Sequence, residues 1–133
     1  MFRRIDHIEL LTSAPERMLA FYREVLGFRE SSRTRVPQTP LGPLDIVYME
    51  LGGTTVEIMT YPTAAIPPAS TERRLGYQLM ALEVDDMDEA LELLKRRGIA
   101  PSWGPVKRPD YARAEIRDPD GNGIELRQWI RPA

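Results

Sequence analysis

One pattern occurs twice in this sequence. In each half a strand rich in branched apolar residues runs into a capped amphipathic helix that ends at a glycine. Further strands follow, and the last of them carries one glutamate between two apolar neighbours. Gly27 answers to Gly98 and Glu57 answers to Glu125, an offset of about seventy residues. That is long for a solenoid repeat and suits a duplicated half-domain. A chain of 133 residues has room for one domain, or for two half-sized units sharing a core. The expectation is an α+β protein of two tandem βαβββ units, 1–61 and 76–133, joined by a linker, 62–75. Together they form one domain, whose curved mixed sheets enclose a cleft.

In the first half, residues 5–11 alternate as a strand, with Ile5, His7, Glu9 and Leu11 on one face. Ser13, Pro15 and Glu16 predict a helix start with Ser13 as N-cap and a capping box. Met18, Phe21, Tyr22, Val25 and Leu26 recur at helical spacing, and Gly27 stops the helix. Strands are expected over 28–36, 44–51 and 54–61, the last two joined at Gly52-Gly53. Thr55, Glu57 and Met59 share a face of the last strand.

Pro62, Pro67 and Pro68 mark the linker. The order then repeats: a strand over 76–84, an N-cap at Asp86 with Glu89, and a helical stripe of Met87, Ala90, Leu91 and Leu94. A short strand over 99–103 and another over 111–116 lead to Asp118-Pro119-Asp120-Gly121-Asn122-Gly123. The proline, glycines and asparagine there supply the φ values of a reversal. The final strand, 123–129, holds Glu125 between Ile124 and Leu126, facing away from both. A lone strand glutamate usually faces solvent. Its recurrence as Glu57, with the only histidine of the chain at His7, makes the trio a candidate site.

Composition narrows the function. The formal net charge of −2 lacks the basic excess of nucleic-acid binders. The absence of cysteine removes disulfides, thiolate metal sites and a cysteine nucleophile. The N-terminus has no apolar run of signal-peptide length and no stretch approaches a membrane span, so a soluble cytoplasmic protein is expected, without nucleic-acid or membrane partners.

Ile5-Asp6-His7-Ile8, Phe21-Tyr22-Arg23-Glu24-Val25-Leu26-Gly27-Phe28, Glu83-Val84-Asp85-Asp86 and the stretch from Asp118 through Leu126 resemble, in order, the vicinal oxygen chelate superfamily of glyoxalase I, bleomycin-resistance proteins and extradiol dioxygenases. The resemblance spans nearly the whole chain. It implies a metal cleft with one ligand from each of four strands, which carries over to His7, Glu57 and Glu125. The remaining position, usually histidine, is Leu79 here and cannot bind metal. A homodimer is also implied.

One imidazole and two carboxylates can hold a six-coordinate divalent ion, and oxygen-rich ligation suits Mn, Fe, Ni or Mg, with Zn also possible. Such an ion would polarise a carbonyl on a small oxygen-chelating substrate, and Glu57 or Glu125 would carry the proton. The expected function is a glyoxalase-like, metal-dependent lyase or isomerase. The alternative is a metal-free ligand-binding or drug-sequestering protein of the bleomycin-resistance type, which Leu79 favours. Ring-cleaving oxygenases need two histidines and a carboxylate at the iron, and even strand exchange in a dimer leaves one histidine per site. Arg113, Arg127 and Tyr111 are candidates for an acidic substrate group, and Trp129 for lining an apolar pocket or closing the sheet end.

Overall fold

The computed structural model describes residues 1–131. The chain divides into two compact units, one of Met1–Ser70 and one beginning at Thr71. In the first unit β1 (His7–Leu11) leads to α1 (Pro15–Ala20), which continues as a π-helical turn over Phe21–Val25. Then come β2 (Arg29–Val36), β3 (Leu44–Leu51) and β4 (Thr54–Thr60). The sheet order is β1-β4-β3-β2, with β1 parallel to β4 and the other pairs antiparallel. The second unit repeats this with β5 (Met80–Glu83), α2 (Met87–Arg96), β6 (Trp103–Lys107), β7 (Tyr111–Arg117) and β8 (Gly123–Trp129), in the order β5-β8-β7-β6. Each unit is therefore βαβββ with a mixed sheet, as the duplicated pattern predicts.

Alternation sorts each sheet into two faces. Val47, Met49, Val56 and Ile58 are buried on the helix side of the first sheet, where α1 packs against β4 and contributes Met18 and Leu19. Tyr22 from the π-helical turn is fully buried and meets Phe21 and Phe28 edge-on. Each such side chain contributes about 1.5–3 kcal/mol by leaving water. In the second unit Ala112, Ala114, Ile116, Ile124 and Leu126 form the buried face, with Met87 and Leu94 of α2. The odd-numbered residues of β4 and β8, Glu57 and Glu125 among them, occupy the other face.

Local chemistry differs from expectation at three places. The N-cap of α1 is Ala14, not Ser13, and no side chain caps the helix; instead the Thr12 hydroxyl accepts the Ala14 N–H at 3.0 Å. Asp86 does cap α2, accepting from the Glu89 N–H at 2.9 Å, and the Met87 N–H finds the Gln128 side chain at 2.8 Å. The strand over 76–84 shrinks to Met80–Glu83: Leu75 and Tyr77 are fully exposed, with no partner face to hold them in register. The short strand lies at Trp103–Lys107 rather than 99–103, on the sheet edge beside β7, where its Gly104 and Pro105 are tolerated.

The reversal before β8 is organised by Asp118. Its buried carboxylate accepts the backbone N–H groups of Asp120 and Asn122 and the Asn122 side-chain amide, all at 2.9–3.0 Å. Gly121 has φ +86°, which an L side chain rarely adopts. This turn sets the start of β8 and hence the phase that points Glu125 away from the helix side. Among the described residues no helix is long and apolar enough to cross a membrane.

Candidate metal centre

His7 and Glu57 meet in the first unit. β1 and β4 run parallel with His7 opposite Thr55 and Glu9 opposite Glu57, so His7, Glu9 and Glu57 share one face. His7 Nε2 lies 2.8 Å from a Glu57 carboxylate oxygen and 3.1 Å from one of Glu9. The other ring nitrogen, Nδ1, lies 3.0 Å from Asp6, which also pairs with Arg4 at 3.1 Å. Hydrogen bonding to Asp6 and then to Glu9, with the Glu57 charge nearby, raises the His7 pKa above the ordinary histidine value. The same contact with His7, helped by Arg4, holds Asp6 below the usual carboxylate range.

Glu57 is 7% exposed, and among the described residues no arginine or lysine pairs with it. A buried carboxylate is costly without a cation. The cation available here is the single proton of an imidazole that faces two carboxylates through one nitrogen. One ligand atom from each of His7, Glu9 and Glu57 lies within 4.8 Å of the others. Donor atoms about 2.1 Å from a small divalent ion sit about 3 Å apart on adjacent octahedral corners. The two contacts at Nε2 match that spacing, so the donor set fits a divalent ion in both chemistry and reach.

Glu125 is equally buried, at 7% exposure, and is neutralised differently. Arg113 reaches one oxygen at 2.9 Å, and Arg127 reaches the other through Nη2 at 3.0 Å and Nε at 3.1 Å. Arg127 also lies over the rings of Tyr111 and Trp129, at 4.7 and 4.8 Å, and Arg113 lies 4.8 Å from the Trp103 centroid. The Arg113 Nε is buried without a hydrogen-bond partner. Arg113, Arg127, Tyr111 and Trp129 thus form a stacked guanidinium–aromatic layer around Glu125.

Of the expected residues, the structure brings His7 and Glu57 together in one unit and places Glu125 among arginines in the other. Leu79 lies just before β5, partly exposed, near Gly123. Glu9 was not among the expected site residues, although the two-residue period had already put it on the His7 face. A cavity of about 420 Å³ lies on the helix side of the first sheet, lined by Glu16, Arg33, Arg35 and Asp45 among others. It holds none of the candidate residues, and its arginines are already paired, Arg33 with Glu30 and Arg35 with Asp45.

Two four-stranded mixed sheets, each fed by a βαβββ unit and one presenting a His/Glu/Glu group, define the class. Residues 4–126 match the model of the Glyoxalase/Bleomycin resistance protein/Dioxygenase superfamily, and the chain belongs to that superfamily. A lactoylglutathione lyase of Neisseria meningitidis is 31% identical over 127 residues, covering 94% of this chain and 90% of its own. The crystal structure of a glyoxalase family protein from Enterococcus faecalis superimposes with a TM-score of 0.77 at 25% identity, covering 95% of this chain and 98% of the other. TnmS3, an antibiotic binding protein from Streptomyces sp. CB03234, is 27% identical with a TM-score of 0.69, covering 97% and 98% of the two chains.

Proposed function

We propose that the chain is a divalent-metal-dependent lyase or isomerase of glyoxalase type, acting on a small substrate with two adjacent oxygens. The observation that carries this reading is the contrast between two equally buried glutamates. Glu125 has two guanidiniums, whereas Glu57 has only a titratable imidazole and a second carboxylate beside it. His7 and Glu57 would hold the ion, and a divalent ion there supplies Lewis-acid polarisation of a carbonyl. Asp6 orients the imidazole by accepting from Nδ1, which leaves Nε2 as the donor atom. Glu57 is the carboxylate placed to accept a proton from carbon beside that carbonyl. Glu125 is kept as a further ligand or proton carrier on the family resemblance alone. Lactoylglutathione, the compound in the relatives' name, is the first substrate to assay.

The experiment is metal content of untagged protein, followed by titration with Mn, Fe(II), Ni and Zn. Near-stoichiometric binding that disappears in His7→Ala and Glu57→Ala is expected; no binding of any of these ions overturns the proposal. Leu79, apolar at a ligand position, favours a second reading, metal-free sequestration of a small ligand, and the likeness to an antibiotic binding protein points the same way. In that case small apolar ligands shift the melting temperature and the metals do not. A homodimer, measured by light scattering, is part of the first proposal.

A further inference from the structure

We infer that Glu9 is a metal ligand of this chain, a third donor beside His7 and Glu57 on the first sheet. The inference rests on the metal-dependent reading above. The two units can be compared strand by strand. Glu57 in β4 stands opposite Glu9 of β1, and Glu125 in β8 stands opposite Ala81 of β5. Two residues earlier, His7 corresponds to Leu79. The second unit therefore lacks both donors of its first strand, and the first unit carries both. An ion bound by this chain finds an imidazole and two carboxylates on a single sheet.

The geometry fits ligation. Glu9 and Glu57 approach the same atom, His7 Nε2, at 3.1 and 2.8 Å. With the Nδ1 proton donated to Asp6, Nε2 faces two carboxylates, an arrangement that either a second ring proton or a metal ion relieves. Neither glutamate has an arginine or lysine partner among the described residues. Glu57 is nine-tenths buried, so water does little to screen it, while Glu9 is exposed and free to swing toward an ion. Because one nitrogen and several carboxylate oxygens make an oxygen-rich set, Mn(II) is the matched probe.

The test titrates Mn(II) into untagged wild type, Glu9→Gln, Glu57→Gln and Glu50→Gln, reading free Mn(II) by electron paramagnetic resonance. Glu50 is an exposed β3 carboxylate paired with Arg29 and serves as the charge control. Each titration is run at 0.1 M and 1 M salt, because the Debye length falls from about 10 to about 3 Å. Loss of a ligand survives high salt, whereas a through-space charge effect fades. The expected result is at least a tenfold weaker dissociation constant for Glu9→Gln at both salt concentrations, an unchanged melting temperature of the metal-free protein, and wild-type affinity for Glu50→Gln. If Glu57→Gln loses Mn(II) while Glu9→Gln stays within twofold of wild type at 1 M salt, Glu9 is not a ligand and the metal-dependent reading stands. If wild type binds none of Mn(II), Fe(II), Ni and Zn, both fall; if it binds another of these ions but not Mn(II), the same variants are titrated with that ion and the same tenfold criterion decides.

Discussion

Replacing Arg127 with methionine tests whether the guanidinium pair holds the Glu125 end of the second sheet together. Methionine keeps an apolar stem between Tyr111 and Trp129 and removes only the charged head. Stripping the partner from a buried carboxylate costs about 3–5 kcal/mol. Arg113 remains at 2.9 Å, so about half of that, ~2 kcal/mol, is expected here. The two ring contacts, at 4.7 and 4.8 Å, add about 0.5–1 kcal/mol together after the methionine contacts are credited. The total, about 2.5–3 kcal/mol, lowers the melting temperature by roughly 10 °C in a chain of this size. Urea unfolding of wild type, Arg127→Met, Glu125→Gln and the double variant closes a thermodynamic cycle. A coupling energy of about 1–2 kcal/mol between the two sites is expected. Additivity within about 0.5 kcal/mol would refute the argument and make Glu125 an independent group.

Two further outcomes follow from local contacts. Asp45 hydrogen-bonds Arg35, which holds its carboxyl below the usual carboxylate range in the folded protein. Its contribution is therefore present above the unfolded pKa and lost as pH falls through the folded one. Asp45→Asn is slightly less stable than wild type in urea at neutral pH, and the gap closes on acidification below pH 3.8 and shrinks in 1 M salt. Gln128→Ala takes the acceptor from the Met87 N–H, costs about 1 kcal/mol, and speeds hydrogen exchange at that amide; unchanged exchange would mean water replaces the side chain.

The fold was legible because its main signals are periodic. Glu57 and Glu125 sit between apolar neighbours, so alternation alone set their face, and Gly27 and Gly98 ended their helices with φ near +80° as expected. What was missed depends on partners that sequence spacing does not name. Ser13 had the right type and position for a cap, but Thr12 satisfied the nearby N–H first. The short strand was expected to end at Trp103, and it runs on through Gly104 and Pro105 because an edge position asks for few hydrogen bonds. At the site, the His7 and Glu57 encounter could be anticipated from parity once the halves were aligned. The pairing of Arg113 and Arg127 with Glu125 could not, since long cationic side chains on a strand reach water as readily as a neighbour.

The duplication shows why one buried glutamate has two guanidiniums beside it and the other has only an imidazole. Arg127 lies two residues beyond Glu125 and stands opposite Arg113. The corresponding positions of the first unit are Met59, two residues beyond Glu57, and Ile46 opposite it. On the same scaffold, with the same burial of the glutamate, two guanidiniums are thus exchanged for two apolar side chains. At the neighbouring pair of positions the exchange runs the other way, with His7 and Glu9 where the second unit has Leu79 and Ala81. The first unit carries ligand-type side chains where the second has apolar ones, and the second carries fixed positive charge where the first has none. One sheet thus neutralises its buried glutamate with fixed guanidinium charge, and the other sets beside its glutamate only a group whose charge depends on protonation.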